Sequence, residues 1–226
     1  MDSYRKTSII VGVLFIIATV SAILTIGILG SVLDPPEYLT AVAAHETQVV
    51  LAVICWLILA ISVLGIGVMM YPILKKYHGG LAQGYVGLRL VETICIVISS
   101  ICLMSLLTMS KEFGAGTADA AYYLPAGSVL LAVQEWSFEI GTLIFLGLGG
   151  LALYYGIYEL ELVPKWLSLF GLIGAACVTI YGMLALFGLT ADSMVLNLLA
   201  APIAVQEMVF AVWLIVKGFN PSVIKT

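Results

Sequence analysis

Six long apolar stretches separated by short polar loops constrain this chain more than any other feature. Each stretch has the roughly 20 apolar residues that an α-helix needs to cross the hydrocarbon core of a bilayer. Together they take most of the 226 residues and leave no room for a soluble domain. The sequence therefore predicts an all-α integral membrane protein, a single domain over residues 1–226 built as a six-transmembrane-helix bundle. The predicted spans are 8–33, 47–74, 84–109, 128–155, 166–189 and 194–216.

Charged residues are scarce, which excludes the common soluble classes. Asp, Glu, Lys and Arg make up 10% of the chain, against roughly 25% in an ordinary globular protein. So little polar surface could not cover a soluble fold without leaving large apolar patches exposed. The formal net charge of -4 also argues against binding to nucleic acid. The expected partner is the lipid bilayer.

The charges in the loops predict how the chain is oriented in the membrane. Six crossings put seven basic residues on one side and a single one, Lys111, on the other. Because cytoplasmic loops carry an excess of Lys and Arg, both termini are predicted to be cytoplasmic. The seven residues are Arg5, Lys6, Lys75, Lys76, Lys165, Lys217 and Lys225.

Five ionisable residues fall inside the predicted spans: Arg89 and Glu92 in the third, Glu135 and Glu139 in the fourth, and Glu207 in the sixth. A charge inside a membrane is costly and normally faces the bundle interior or a water-filled cavity. The neighbouring Gln206 adds a neutral polar group. These six residues are the candidates for binding a ligand or handling protons.

Spacing predicts that the five ionisable residues form an acidic ladder. Residues three or four apart share a helix face, so Arg89 lies on the same face as Glu92, and Glu135 on the same face as Glu139. Counting about 1.5 Å per residue from the helix ends puts Glu207 and Glu92 at a similar depth, with Glu139 and then Glu135 nearer the outer surface. Four carboxylates against one cation would not coexist dry. Water enters, a cation binds, or some of the carboxyls hold a proton.

The same residues also allow a purely structural interpretation. Arg89 with Glu92 or Glu207 can be a buried ion pair that only fixes helix register, while Glu135 sits at the outer headgroups.

The sequence contains a short internal repeat that ends in Glu135 and in Glu207. Ala-Val-Gln-Glu occurs at 132–135 and again at 204–207. Both copies lie on helices that are predicted to enter from the outer side.

The sequence favours a function without catalysis and predicts no catalytic residues, no metal and no cofactor. His45 and His78 fall on opposite faces of the membrane, and no lysine lies deep in any span that could form a retinal Schiff base. The four cysteines lie within the spans without a CxxC pair, where buried thiols are usually small hydrophobes. No HExxH, GxSxG or glycine-rich phosphate loop is present.

Three segments resemble a known group of proteins, the prokaryotic membrane family called domain-of-unknown-function family 4386. They are YPILKKY at 71–77 leading into GYVGLRLVE at 84–92, PKWLSLFG at 164–171, and the stretch 207–219 ending WLIVKGF. The resemblance implies a multi-pass protein of a bacterial or archaeal cell membrane, and it implies no substrate. Arg89, Glu92 and Glu207 lie within the resembling segments, whereas Glu135 and Glu139 do not.

The sequence leads to two functional hypotheses. In the first, a polar intramembrane cavity that opens outward binds or passes a small cation, a proton or a polar solute. In the second, the chain is a non-catalytic structural or regulatory membrane protein whose buried charges only stabilise the bundle. Six helices with short loops can close a bundle alone, and the small-residue helix faces can equally serve a dimer.

Overall fold

The fold is a bundle of long α-helices. The computed structural model describes residues 3–34, 37–114, 120–189 and 194–224, and within these ranges the chain is almost entirely helical. A π-helical segment, Ile140–Phe145, joins α5 to α6 without a break. The helices are α1 Ser3–Leu29, α2 Tyr38–Ala44, α3 Glu46–Leu74, α4 Gly79–Gly114, α5 Ala120–Glu139, α6 Leu146–Glu159, α7 Lys165–Leu186, α8 Met194–Val216 and α9 Pro221–Ile224.

Six of these helices are long and apolar enough to cross a membrane: α1, α3, α4, the continuous rod from α5 to α6, α7 and α8. The six-span, all-α prediction is confirmed, and α8 begins and ends at the predicted residues. The connector between the predicted spans 84–109 and 128–155 is shorter than those spans imply, because α4 runs on to Gly114 and α5 already begins at Ala120. Hydropathy marks where the apolar part of a helix ends, whereas the hydrogen-bonded helix continues into the polar layer.

The six spanning helices pack as a ring in chain order. α1 packs against α3, α3 against α4, and α4 against the rod from α5 to α6. That rod packs on α7, α7 on α8, and α8 returns to α1. Short loops favour this arrangement because they keep consecutive helices antiparallel and adjacent. A ring of six helices leaves space along its axis, which the side chains either fill or leave open.

The two ends of the bundle are distinguished by their loop contacts. At one end, called here the terminal end, Lys76 lies over the ring of Tyr4 at 4.8 Å from its centroid, and the backbone N–H of Asn220 donates to the Leu162 carbonyl at 2.8 Å. At the opposite, distal end, Lys111 forms an ion pair with Glu46. Six of the seven basic residues that the sequence puts on one side are at the terminal end, and Lys225 lies outside the described residues.

Arg5 fastens the start of α1 to the end of α8. Its guanidinium donates to the backbone carbonyls of Leu214 at 3.0 Å, Ile215 at 2.5 Å and Val216 at 3.2 Å. The last carbonyls of a helix have no partner within the helix, and a cation there also complements the negative end of the helix dipole. Arg5 therefore closes the ring at the point where its first and last helices meet.

Arg5→Ala is expected to lower the thermal midpoint of the detergent-solubilised protein by roughly 2–8 °C. Half-buried charge-assisted hydrogen bonds of this kind contribute about 1–2 kcal/mol together, and each kcal/mol corresponds to about 2–4 °C in a chain of this length. Lys6→Ala is the matched control because it removes the same charge from an exposed neighbouring position. Equal midpoints for the two variants would contradict a specific contact.

Aromatic side chains fill the axis of the ring in the half nearer the terminal end. Phe210 on α8 meets the ring of Phe15 edge-on at a centroid distance of 5.6 Å and that of Tyr154 at 5.7 Å. All three are fully or almost fully buried. Edge-to-face contacts of this kind fix ring positions as well as burying apolar area. The space along the axis is thereby closed on the terminal side.

Candidate functional site

A cavity of about 340 Å³ occupies the axis of the ring on the distal side of these aromatic rings. All six spanning helices contribute to its wall. On α1 the lining residues recur at helical spacing from Phe15 to Ile26, and on α8 they run from Ala200 to Glu207. Five lining residues are polar or charged and the others are apolar. The five are Thr19, Arg89, Glu92, Thr142 and Glu207.

Arg89 and Glu92 form an ion pair at the inner end of the cavity, which is the end nearer the aromatic rings of Phe15 and Phe210. Arg89 Nη1 lies 2.9 Å from Glu92 Oε2, and the two side chains are 2% and 1% exposed. The Arg89 Nε donates to the hydroxyl of Tyr85 at 3.2 Å. These three residues belong to α4 and lie at spacings of four and three, so the helix itself aligns them.

Glycines on two neighbouring helices make room for the Arg89 side chain. A Cβ atom at Gly67 on α3 would lie 3.1 Å from the Arg89 Cβ, and one at Gly149 on α6 would lie 3.8 Å from its Nε. A larger residue at Gly67 would press on the base of the arginine. The ring thus accommodates a bulky cation at this level, where buried charge is costly unless it is paired.

Glu207 faces the same cavity from α8, one turn before Phe210. It lies close enough to Arg89 and Glu92 for electrostatic interaction with both. Among the described residues, however, no hydrogen bond or ion pair reaches its carboxylate, and Arg89 is committed to Glu92 and Tyr85. Counted as ionised groups, the three residues leave one negative charge without a direct partner. Glu207 is about 14 Å from the end of α8, near the middle of a bilayer core.

The π-helical segment forms one wall of the cavity. Thr142 and Leu143 belong to this segment and line the cavity. Gly141 lets the segment approach α4 closely, since a Cβ atom there would lie 2.7 Å from the Cβ of Cys95. A π-turn inserts an extra residue and re-aims the following side chains, and such turns are frequent at functional sites. Here the segment lies directly beside α4, and a Cβ atom at Gly141 would also lie 3.4 Å from the Glu92 carbonyl oxygen.

The structure brings together three of the six predicted site residues. Arg89, Glu92 and Glu207 share the cavity, as their spacing and depth predict. Glu135 is exposed on α5, and Glu139 is half-buried but does not line the cavity. Because neither reaches the cavity wall, the acidic ladder is not continuous. In place of Glu139, the neighbouring Phe138 and Thr142 form that part of the wall.

Gln206 faces away from the cavity towards α7. Its side chain is completely buried, and its Nε2 donates to the Leu167 carbonyl at 3.4 Å. Its Oε1 and the nearby Tyr154 hydroxyl have no geometrically good hydrogen-bond partner among the described residues. Gln206 therefore contacts the α7 backbone and does not touch the cavity. Its position behind Glu207 makes it a residue that holds α8 against α7.

Sequence reasoning missed two parts of the site, Tyr85 and the π-helical wall. Tyr85 lies four residues before Arg89, so the same spacing rule that pairs Arg89 with Glu92 would also have found it. No sequence signal marks the π-turn, which lies where Gly141 closely approaches Cys95 on α4. Within the described residues, no group of three or more His, Cys, Asp or Glu side chains could hold a metal ion.

The chain matches a known protein family. The model of the family described as "Domain of unknown function (DUF4386)" matches residues 10–218, nearly the whole chain. The matched range includes every residue that lines the cavity. No curated protein and no solved structure matches the chain.

Proposed function

The chain belongs to the DUF4386 family, a domain of unknown function, and we propose that it binds a cation inside the membrane at Glu207. The observation behind this proposal is the unpaired carboxylate of Glu207, which faces a cavity beside an Arg89–Glu92 pair that is already closed. A lone carboxylate at membrane depth is costly, so it normally meets a cation, a proton or water. A bound monovalent cation would bring the three charged side chains and the ligand to neutrality.

The roles in this proposal follow from the contacts of each residue. Glu207 is the group that contacts the cation, because no other described residue forms a hydrogen bond or an ion pair with its carboxylate. Glu92 keeps Arg89 occupied, and the Tyr85 hydroxyl holds the guanidinium from its other edge. Arg89 is thereby kept from pairing fully with Glu207. With its three charged residues ionised, the site carries a net negative charge that favours a cation, even though it contains an arginine.

A structural role for the charges is the second candidate, favoured by the almost complete burial of Arg89 and Glu92. Their ion pair lies within α4, however, and does not connect two helices. A pair of this kind cannot fix how one helix packs on another, which is the usual structural use of a buried ion pair. It also leaves Glu207 unexplained. Binding therefore accounts for more of the site than packing does.

We also propose that the protein lies in the cell membrane with both termini cytoplasmic. The basic residues that the structure describes at the terminal end support this orientation under the positive-inside rule. The cavity is closed towards that end by Phe15, Phe210 and Tyr154. In this orientation the cavity lies in the outer half of the bilayer.

Glu207→Gln is expected to weaken the binding of cations by at least tenfold. The amide keeps the shape of the side chain and removes its charge. Binding is measured as the rise in thermal midpoint when sodium, tetraethylammonium or tetraphenylphosphonium chloride is titrated into the protein in phosphatidylcholine nanodiscs, since a ligand stabilises the state it binds. At least one cation should stabilise the unmodified protein.

Glu135→Gln is the comparison variant for this experiment. Glu135 follows the same Ala-Val-Gln residues as Glu207 but is exposed on α5 and outside the cavity. We expect this variant to bind cations as the unmodified protein does. If all three cations shifted the midpoint of the Glu207→Gln variant as much as that of the unmodified protein, the cation site at Glu207 would be ruled out.

A further inference from the structure

The cavity is suited to a ligand that is apolar over most of its surface and charged at one point. Beyond the charged group at its inner end, its described polar lining is limited to the hydroxyls of Thr19 and Thr142. The Thr142 hydroxyl already donates to the Phe138 carbonyl at 2.8 Å. A hard inorganic cation needs about six oxygen ligands to replace its water shell. The wall above Glu207 does not offer them.

The apolar wall instead favours contact with hydrocarbon or aromatic groups. Pockets that hold drug-sized organic ligands are mostly apolar, with a few polar groups that fix the orientation, and start at about 300 Å³. Two aromatic rings line this one, Phe15 at the inner end and Phe138 on the side. Phe138 is held in place by stacking on Trp56 at a centroid distance of 5.0 Å. Aromatic faces also attract organic cations directly.

The cavity has a side that faces the bilayer, between the distal halves of α1 and α8. In the terminal half these helices are in tight contact, because a Cβ atom at Gly12 would lie 2.7 Å from the Ala211 carbonyl oxygen. In the distal half the lining residues Ile23 and Ile26 are 63% and 73% exposed, and the lining residue Ala204 is exposed as well. Residues that both line a cavity and lie at the outer surface of the ring mark the edges of an opening.

We propose that the ligand is a lipophilic organic cation, an amine or quaternary cation with apolar substituents, which enters from the bilayer between α1 and α8. This inference rests on the proposed cation site at Glu207 and specifies its substrate class. Glu207 neutralises the cationic centre, and the apolar wall buries its substituents. The opening lies within membrane-spanning helices, so a molecule dissolved in the lipid reaches the site without crossing water.

Tetraphenylphosphonium is the probe for this proposal, measured as radiolabelled compound bound to the protein in phosphatidylcholine nanodiscs. Saturable binding to the unmodified protein is expected above the level of empty nanodiscs, with at least a tenfold loss of affinity in Glu207→Gln. Tetramethylammonium, which carries the same charge with little apolar surface, should compete at least a hundredfold less well.

Entry from the bilayer is tested separately by narrowing the opening. Ala204→Phe places a large side chain at its edge and should slow the association of tetraphenylphosphonium at least tenfold. Val205→Phe is the matched control, because Val205 is 55% exposed and does not line the cavity. Should Ala204→Phe fail to fold, as judged by its thermal midpoint, Ala204→Leu takes its place. Equal association rates for the two positions would overturn lateral entry.

The outcomes separate this inference from the function on which it rests. If sodium stabilises the protein through Glu207 while tetraphenylphosphonium does not bind, the lipophilic ligand class is overturned and the cation site stands. If tetramethylammonium competes as well as tetraphenylphosphonium, the apolar wall plays no part in recognition and the inference fails. If the binding of none of the cations depends on Glu207, both the inference and the proposed function fail.

Discussion

Arg89→Met is expected to lower the free energy of unfolding by about 3–5 kcal/mol, the usual effect of removing one partner from a buried ion pair. Glu92 loses its ion-pair partner in this variant, and Tyr85 loses the group that donates to its hydroxyl. Glu207 and Glu92 then repel each other without the attraction of the nearby cation. Methionine keeps much of the volume of the arginine stem, so the effect measures the charge and not an empty space.

Two further variants make this prediction specific. Glu92→Gln should cost clearly less than Arg89→Met, because Glu207 lies within electrostatic reach and can take over the guanidinium. The double variant Arg89→Met, Glu92→Met should recover most of the lost stability, since replacing both members of a buried pair with apolar groups is often close to neutral. The three variants are compared by equilibrium unfolding in mixed micelles. A double variant no more stable than Arg89→Met would contradict the ion pair as the source of the loss.

Gly174→Ala is expected to destabilise the protein by about 1–3 kcal/mol, the usual cost of overpacking a close contact. Gly174 on α7 faces α8, and a Cβ atom there would lie 2.9 Å from both the backbone nitrogen and the Cα of Ile203. Backbone atoms cannot rotate away as a flexible side chain can, so α7 and α8 must separate. Ile203 lines the cavity one turn before Glu207, so the shift should also weaken cation binding.

Gly27→Ala is the control for this variant, since it makes the same substitution at a helical position, in the last turn of α1. No heavy atom lies within 4 Å of the position of its Cβ. Alanine is the better helix former, so Gly27→Ala should be neutral or stabilising by up to about 1 kcal/mol. Thermal midpoints and tetraphenylphosphonium affinities of the two variants give the comparison. A Gly174→Ala protein as stable as the Gly27→Ala protein would show that α7 and α8 are not in close contact there.

Most of the helical framework can be predicted from the sequence. The six spans follow from apolar length, and the sidedness of the loop charges follows from counting crossings. Both depend on local composition, because a backbone in lipid has to satisfy its hydrogen bonds within the helix. The helix ends were less predictable. The short helix α2 and the early start of α5 at Ala120 lie in polar or mixed sequence, where hydropathy carries no information about hydrogen bonding.

The candidate site was predictable only in part, and the Ala-Val-Gln-Glu repeat shows why. Both copies place a glutamine and a glutamate at the same relative positions. In both, the glutamine is buried, whereas Glu207 lines the cavity and Glu135 is exposed. The difference arises from the surroundings of each glutamate in the bundle, because Glu207 faces the axial cavity and Glu135 lies outside it. Those surroundings depend on contacts with other helices, which a single span does not encode.

The sequence by itself determined that this chain spans the membrane six times and that few residues can carry chemistry within it, because each buried charge is costly and therefore rare. The tertiary structure alone decided which of those charges meet. The rings of Phe210, Phe15 and Tyr154 pack together on the terminal side of Glu207, and Gly141 approaches Cys95 closely in the π-turn that contributes Thr142 and Leu143 to the cavity wall. These contacts join residues far apart in the chain. Their geometry depends on side-chain packing between helices, which hydropathy and spacing within one helix do not specify.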